Sequence, residues 1–129
     1  MKRRVENIYW LAGLLEGEGC FITHVITKNT RNGKFDYKQF QFKLQMNDRD
    51  IVERAAALIG SNPTIHKREY RFHYNKKPGY EIHINGSLAI QWMMTIYTLM
   101  GIRRREKIRE IIEEWKTYKT RFPSMQWSN

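Results

Sequence analysis

The sequence predicts an α+β domain in which a four-stranded antiparallel sheet carries helices on one face. Stretches with apolar residues at helical spacing flank two pairs of strand-like stretches, in the order α-β-β-α-β-β-α-α. Residues 39–46 alternate strictly, with apolar side chains on one face and polar side chains on the other. This alternation is typical of an antiparallel strand that is buried on one face only.

The individual elements follow from apolar spacing and from their start and stop residues. The first helix has apolar residues on nearly all sides, so we expect it to be buried on most of them. Asn47 or Asp48 is predicted to cap the second helix, and Gly60 to end it. The predicted helices cover residues 5–17, from the cap at 47 or 48 to about 59, 88 to about 100, and about 104–119. The predicted strands cover residues 20–28, 39–46, about 64–74 and about 80–85.

Length and cysteine content limit the domain organisation and the compartment. The 129 residues suit one domain, over residues 1–121, followed by a loosely held tail over residues 122–129. No stretch predicts a signal peptide or a membrane span. The single cysteine, Cys20, excludes an internal disulfide framework and favours a reducing intracellular compartment.

The charge of the chain points to a polyanionic partner. Lys and Arg total 23 against 13 Asp and Glu, a net charge of +10, and the excess lies in the middle and C-terminal parts. Nucleic acid is the usual partner of so basic a domain, the alternative being a merely soluble basic protein. A membrane surface is less favoured, because no predicted helix combines a basic face with an exposed apolar one.

The polar face of the second strand favours nucleic acid further. It presents Gln39, Gln41, Lys43 and Gln45 in register. Glutamine can read adenine edges, and lysine can contact guanine or phosphate. An ordinary solvated sheet face is the alternative interpretation of this strand.

The stretch LAGLLEGEG at residues 11–19 resembles the nine-residue signature of the LAGLIDADG homing endonucleases. Glutamates stand at both acidic positions, and Cys20-Phe21 continues into the first strand as in the family. The resemblance implies the αββαββα fold with a saddle-shaped sheet, extending over about residues 5–119. For a chain with one motif, it implies a homodimer that cuts both strands of a long, pseudo-palindromic DNA site and leaves short 3′ overhangs.

The glycines of the motif have a physical explanation of their own. Gly13 and Gly17 lie four residues apart, on one face of the helix, where they would let a second helix approach closely. Alternatively, both glycines pack against the sheet of their own chain. On the first interpretation, the dimer interface comprises Leu11, Gly13, Leu14 and Gly17.

The acids of the motif stand at the helix C-terminus, where the helix dipole disfavours negative charge. The resemblance implies that Glu18 is the catalytic acid and binds Mg²⁺, that the carbonyl of Gly17 assists, and that Mn²⁺ or Ca²⁺ can occupy the same site. Glu16 is expected to have a structural role. The resemblance also implies a basic residue in the pocket, assigned to Arg103 with Arg104 as the alternative, and a second pocket residue near Asp48 or Arg49.

The remaining predicted DNA contacts lie on the strands. Besides the four residues of the second strand, they are Lys28, His66, Arg68, Tyr70 and His83. The competing hypotheses are an RNA-splicing maturase on the same fold, and a DNA-binding protein or repressor without nuclease activity. The expected place of action is the cytoplasm of a prokaryote or a phage-infected cell, or an organelle.

Overall fold

The computed structural model describes residues 2–69 and 77–121, with side chains over residues 4–69 and 77–118. Tyr70 and the tail over residues 122–129 therefore lie outside the described residues. The predicted order of elements is confirmed. The elements are α1 (Lys2–Glu18), β1 (Gly19–Thr30), β2 (Gly33–Met46), α2 (Arg49–Ile59), β3 (His66–Arg68), β4 (Gly79–Asn85), α3 (Gly86–Ile96) and α4 (Ile102–Arg121), with a 3₁₀ turn at Tyr97–Leu99.

The four strands form one antiparallel sheet in the order β1-β2-β4-β3. The long β1–β2 hairpin pairs Gly19 with Leu44 at one end and Thr30 with Gly33 at the other. On the other side of β2, Gln41 pairs with Asn85. Paired residues point to the same face, so this register gives the sheet one apolar and one polar face, as predicted.

The core lies between the apolar face of the sheet and the helices. The alternation predicted for β2 is confirmed, because Phe40, Phe42 and Leu44 are fully buried. Other members of the core come from every helix and from β1 and β4; they include Leu11, Leu15, Phe21, Val52, Ile82, Ile90, Met93, Ile96, Ile108 and Ile111. The helices thus cover one face of the sheet and leave the polar face uncovered.

Some boundaries differ from the prediction. Among the described residues of the predicted strand 64–74, only His66–Arg68 form β3. The predicted helix over 88–100 ends at Ile96, where the chain tightens into the 3₁₀ turn. None of the described helices has the length and apolar composition that a membrane span requires.

Helix α1 is buried by its own chain on one side only, so the expected burial on most of its sides would require a partner outside this chain. Leu11, Ala12 and Leu15 face the core, whereas Val5 and Tyr9 are 48% and 58% exposed. An apolar pattern around a helix does not say whether its second side is covered by the same chain or left open.

The junction between α1 and β1 requires a glycine. A Cβ atom on Gly19 would lie 2.7 Å from the backbone oxygen of Leu15, closer than such contacts ever come. We therefore expect Gly19→Ala to lower the free energy of unfolding by about 1–3 kcal/mol, as overpacking usually does. Chemical denaturation of the monomer measures this.

Gly17→Ala is the matched control for that substitution, since nothing lies within 4 Å of a Cβ atom there. It should leave the stability of the monomer unchanged or raise it. Equal stability of Gly19→Ala and the unsubstituted protein would contradict the account of the junction.

Candidate functional site

The motif ends where α1 meets the sheet, and Glu18 is the last residue of that helix. Its side chain is exposed, because α1 passes directly into β1 at this point and the neighbouring elements leave the outer side open. Within the described part of the chain, no hydrogen bond or ion pair occupies its carboxylate. Glu18 is thus a carboxylate at the junction between α1 and β1 that is available to an external ligand.

Glu16 has a different environment from Glu18, two residues away. One oxygen of its carboxylate accepts a hydrogen bond from the backbone N–H of Gly101 at 3.2 Å. Gly101 directly precedes α4, so this contact caps the start of that helix and complements its dipole. The structural role expected for Glu16 is confirmed.

The basic residue that contacts the junction is Arg104. Its Nη1 atom donates to the backbone oxygen of Gly19 at 2.5 Å, and its guanidinium lies 5.8 Å from the ring centre of Phe21. Its Nε atom is buried without a hydrogen-bond partner among the described residues. Arg103, the first choice from sequence, is exposed. The structure therefore ties the alternative residue, Arg104, to the strand that follows Glu18.

Asp48 and Arg49 lie at the start of α2. Asp48 is the residue before the helix, but its side chain makes no capping hydrogen bond. Arg49 is engaged with Glu53 at 2.8 Å and lies over the ring of Tyr80. These contacts hold Arg49 to its own helix and to β4, and neither contact involves a residue at the end of α1.

The glycines of the motif lie on the open side of α1. Nothing lies within 4 Å of a Cβ atom built on Gly13 or Gly17. The alternative that they pack against their own sheet is therefore wrong. Together with Val5 and Tyr9 they form a stripe at a spacing of four residues, which we call the open face of α1.

Two residues predicted for the dimer interface have different positions in the structure. Leu14 is partly buried at the edge of the open face. Leu11 is fully buried in the core of its own chain, so its assignment to an interface was wrong. The helical spacing explains the error, because both sides of α1 carry apolar residues.

Most of the described residues predicted to contact DNA share the polar face of the sheet. Lys28 and Gln39 lie on the β1–β2 hairpin, and the pairs Lys43–His83 and Gln45–Glu81 join β2 to β4. His66 continues this face onto β3, opposite Glu81, and Arg68 lies two residues further along the strand.

Gln41 is the exception among the predicted contacts. It is only 5% exposed, and its amide nitrogen donates to Oδ1 of Asn85 at 2.6 Å. The prediction from strand alternation placed it on the correct face but could not show that a cross-strand partner occupies its amide. The amide of Gln41 is therefore engaged within the sheet, and Gln41 is not assigned a direct contact with an external ligand.

The polar face also contains an acid that the sequence analysis missed. Glu81 is 4% exposed, and its two carboxylate oxygens contact Nε of Arg68 and Nε2 of His83, the latter at 2.6 Å. The ring of His66 lies 5.4 Å from that of His83. Glu81 could have been found from sequence, because it stands two residues from His83 on the same strand and so points to the same face.

The environment of Glu81 has opposing effects on its acidity. Burial acts to raise the pKa, but the hydrogen bonds from Arg68 and His83 and their positive charges outweigh burial, so the pKa lies below its ordinary value of 4.5. A lowered folded-state pKa means that ionised Glu81 stabilises the fold above about pH 4.5. This contribution is lost as the pH falls from there through the folded-state pKa.

We therefore expect Glu81→Gln to flatten the acid limb of the stability curve. Below about pH 5, the free energy of unfolding should fall less steeply with decreasing pH than in the unsubstituted protein, because the variant lacks the group that takes up a proton on unfolding. Urea denaturation at a series of pH values measures this. Identical slopes for the two proteins would contradict the assigned pairing of Glu81.

A complete metal cage is absent from the described residues, because no group of three or more His, Cys, Asp or Glu side chains lies close enough to hold an ion. The end of α1 instead offers the Glu18 carboxylate and backbone carbonyls, which are hard oxygen donors. Such donors suit Mg²⁺, which is usually bound through one or two carboxylates together with water and substrate phosphates.

Comparison with known proteins gives a family and a fold. The family profile described as LAGLIDADG endonuclease matches residues 11–87, more than half of the chain. No curated protein matches the sequence.

Several solved structures resemble this chain at low identity. The homing endonuclease I-CvuI in complex with its target and Ca²⁺ is 16% identical with a TM-score of 0.72, over 96% of this chain and 75% of that one. The same enzyme with the I-CreI target and Mg²⁺ is 14% identical with a TM-score of 0.66, over 86% and 66%. An archaeal intron-encoded homing endonuclease, I-Vdi141I, complexed with DNA, is 17% identical with a TM-score of 0.55, over 81% and 64%.

At these identities the TM-scores show a shared fold and nothing further, and this chain spans between 64% and 75% of the three matched chains.

Proposed function

This chain belongs to the LAGLIDADG endonuclease family, and from that premise we propose that it is a homing endonuclease that cuts both strands of a long DNA site as a homodimer. The observation that carries the proposal is the exposed carboxylate of Glu18 at the end of a helix whose open face is apolar and contains two uncovered glycines. The matched structures are homing endonucleases complexed with DNA.

The homodimer follows from the open face of α1. A helix that exposes Val5 and Tyr9 leaves apolar area in water, at a cost of roughly 25 cal/mol per Å². Gly13 and Gly17 remove the side chains that would hold a partner helix away. A second copy of α1, related by a two-fold axis, would cover this area and bring the two Glu18 residues near the axis.

Each Glu18 then serves one DNA strand. Its carboxylate and the Gly17 carbonyl would hold Mg²⁺, with Mn²⁺ or Ca²⁺ as alternative occupants, and the remaining ligands would come from DNA phosphates and water. When bound, the metal supplies a more acidic water and neutralises charge on the scissile phosphate. Gly19 and the Glu16–Gly101 contact hold Glu18 in place, because they fix the junction on which it stands.

Two arginines at the start of α4 assist in this proposal. Arg104 binds the Gly19 carbonyl and so fixes the strand after Glu18, which makes it a positioning residue. Arg103 is exposed at the preceding position of the helix and is free to contact a phosphate. Three consecutive arginines at a helix N-terminus oppose the helix dipole, and a bound phosphate would relieve that repulsion.

The polar face of the sheet is the proposed DNA-reading surface. Lys28, Gln39, Lys43, Gln45, His66, Arg68 and His83 supply its donors. Gln41 would act through Asn85 rather than on a base. With a net charge of +10 per chain, binding should weaken steeply as salt concentration rises.

The site of action is proposed to be the DNA of a prokaryote, of a phage-infected cell or of an organelle, and the products are proposed to carry short 3′ overhangs. The symmetric dimer supports a pseudo-palindromic target.

Purified protein incubated with a random DNA library and Mg²⁺ tests the function. Double-strand breaks at one recurring sequence are the expected result. Intact DNA together with tight, sequence-specific DNA binding would replace the nuclease by a non-catalytic binding protein. Intact DNA with tight binding of structured RNA would favour a maturase.

A further inference from the structure

We infer that Glu81 is a specificity-determining residue that positions Arg68 to read a guanine. The inference rests on the proposed function, since it requires that the polar face of the sheet meets DNA. Glu81 would place a negative charge on the DNA-facing surface, where repulsion by phosphates alone would exclude an acid.

Glu81 holds the side chains of Arg68 and His83 in place through direct contacts. The residue lies on β4 in register with Gln45 on one side and His66 on the other, in the centre of the polar face. Although it is on the open face of the sheet, it is 4% exposed, because Arg68 and His83 cover it. Both carboxylate oxygens are occupied, one by each partner.

The contact leaves the outer part of Arg68 available. Glu81 engages Nε, and the Arg68 side chain is 55% exposed. The two terminal nitrogens of the guanidinium therefore form a fork. Glu81 fixes the guanidinium at Nε, and the two terminal nitrogens remain for an external ligand. A fork of this kind matches O6 and N7 of guanine, and this bidentate pair is the commonest specific contact in the major groove.

The charge of Glu81 serves to orient Arg68 and does not raise the affinity for DNA. A carboxylate on a DNA-binding surface repels phosphates, and Arg68 and His83 offset that repulsion only by using part of their own capacity. An unpaired Arg68 would bind phosphate more strongly but in many orientations. Pairing reduces the rotamer freedom that would be lost when Arg68 binds a base, which favours one base over the others.

A purely structural role is the alternative that the experiment must separate. Strand β3 has three residues and pairs with β4 alone, so the Arg68–Glu81 ion pair also helps to hold it to the sheet. Loss of that function would weaken binding to all DNA sequences. Loss of positioning would weaken binding only to sequences that carry the guanine.

The test is selection of bound sites from a random DNA pool in Ca²⁺, with the unsubstituted protein, Glu81→Gln, Arg68→Lys and Glu114→Gln. The unsubstituted protein should enrich guanine at one position in each half-site. Arg68→Lys should lose that preference by about tenfold or more, because lysine cannot form the bidentate pair. Glu81→Gln should lose it at the same position, because one neutral amide oxygen replaces two charged acceptors and holds Arg68 much less firmly. Affinity of Glu81→Gln for non-cognate DNA should stay the same or rise, because an acid has left the DNA-facing surface.

Glu114→Gln is the matched control, because it removes the same charge from an ion pair with Lys38 on the helix-covered side of the sheet. It should keep the guanine preference. Retention of that preference in Glu81→Gln would overturn the inference, as would an equal loss of affinity for cognate and non-cognate DNA. If the unsubstituted protein enriches no DNA sequence, the proposed function itself fails, and this outcome is distinct because it precedes any comparison of variants.

Discussion

Glu18→Gln is expected to lower the rate of DNA cleavage by at least about 100-fold while leaving DNA affinity within a few-fold of the unsubstituted protein. The substitution keeps the size of the side chain and removes the charge that would hold a divalent cation at the end of α1. The fold should be unaffected or slightly stabilised, since a negative charge leaves a helix C-terminus. Single-turnover cleavage in Mg²⁺ and equilibrium binding in Ca²⁺ measure the two effects separately.

Glu16→Gln is the control for that experiment. It removes an equal charge from the same helix end, but its amide oxygen can still accept the hydrogen bond from the N–H of Gly101. Cleavage should remain within a few-fold of the unsubstituted rate. Cleavage by Glu18→Gln at the unsubstituted rate would contradict the assignment of the catalytic acid.

Gly13→Leu is expected to separate folding from assembly. Nothing lies within 4 Å of a Cβ atom at this position, and replacing a helical glycine raises helix propensity by up to about 1 kcal/mol, so the monomer should be at least as stable. The new side chain should hold two copies of α1 apart and weaken dimerisation by about tenfold or more. Sedimentation and denaturation of dilute protein measure the two quantities, and cleavage should fall with the dimer.

Ala57→Leu is the matched control for Gly13→Leu, because it adds a similar side chain at an exposed position of α2. Dimerisation and cleavage should then be unchanged. A Gly13→Leu protein that forms dimers with the unsubstituted affinity would show that the open face of α1 is not the interface.

The sequence was sufficient to predict the order of the elements and the face of each residue on β2. Strict alternation determines which side of a strand is apolar, and Phe40, Phe42 and Leu44 are all buried as that rule requires. Glycines and capping residues located the ends of most helices to within a few residues. The motif itself located Glu18 at the helix-to-strand junction.

The predictions failed for features where the local sequence pattern allows two different arrangements. The apolar residues around α1 did not distinguish the core side from the open side, which is why Leu11 was assigned to an interface. Consecutive arginines on a helix point about 100° apart, so only the packing of α4 on β1 could choose Arg104 over Arg103 as the residue at the junction. The occupied amide of Gln41 and the pairing of Glu81 depend on strand register, which alternation alone does not give.

In the proposed mechanism two chains act together, and each supplies one Glu18 for one DNA strand. A mixed dimer tests it most directly: the unsubstituted chain and a Glu18→Gln chain carry different affinity tags, and the complex with both tags is purified and given the selected DNA site with Mg²⁺. We expect this complex to nick one strand and leave the other intact. Cleavage of both strands at the rate of the unsubstituted dimer would contradict it.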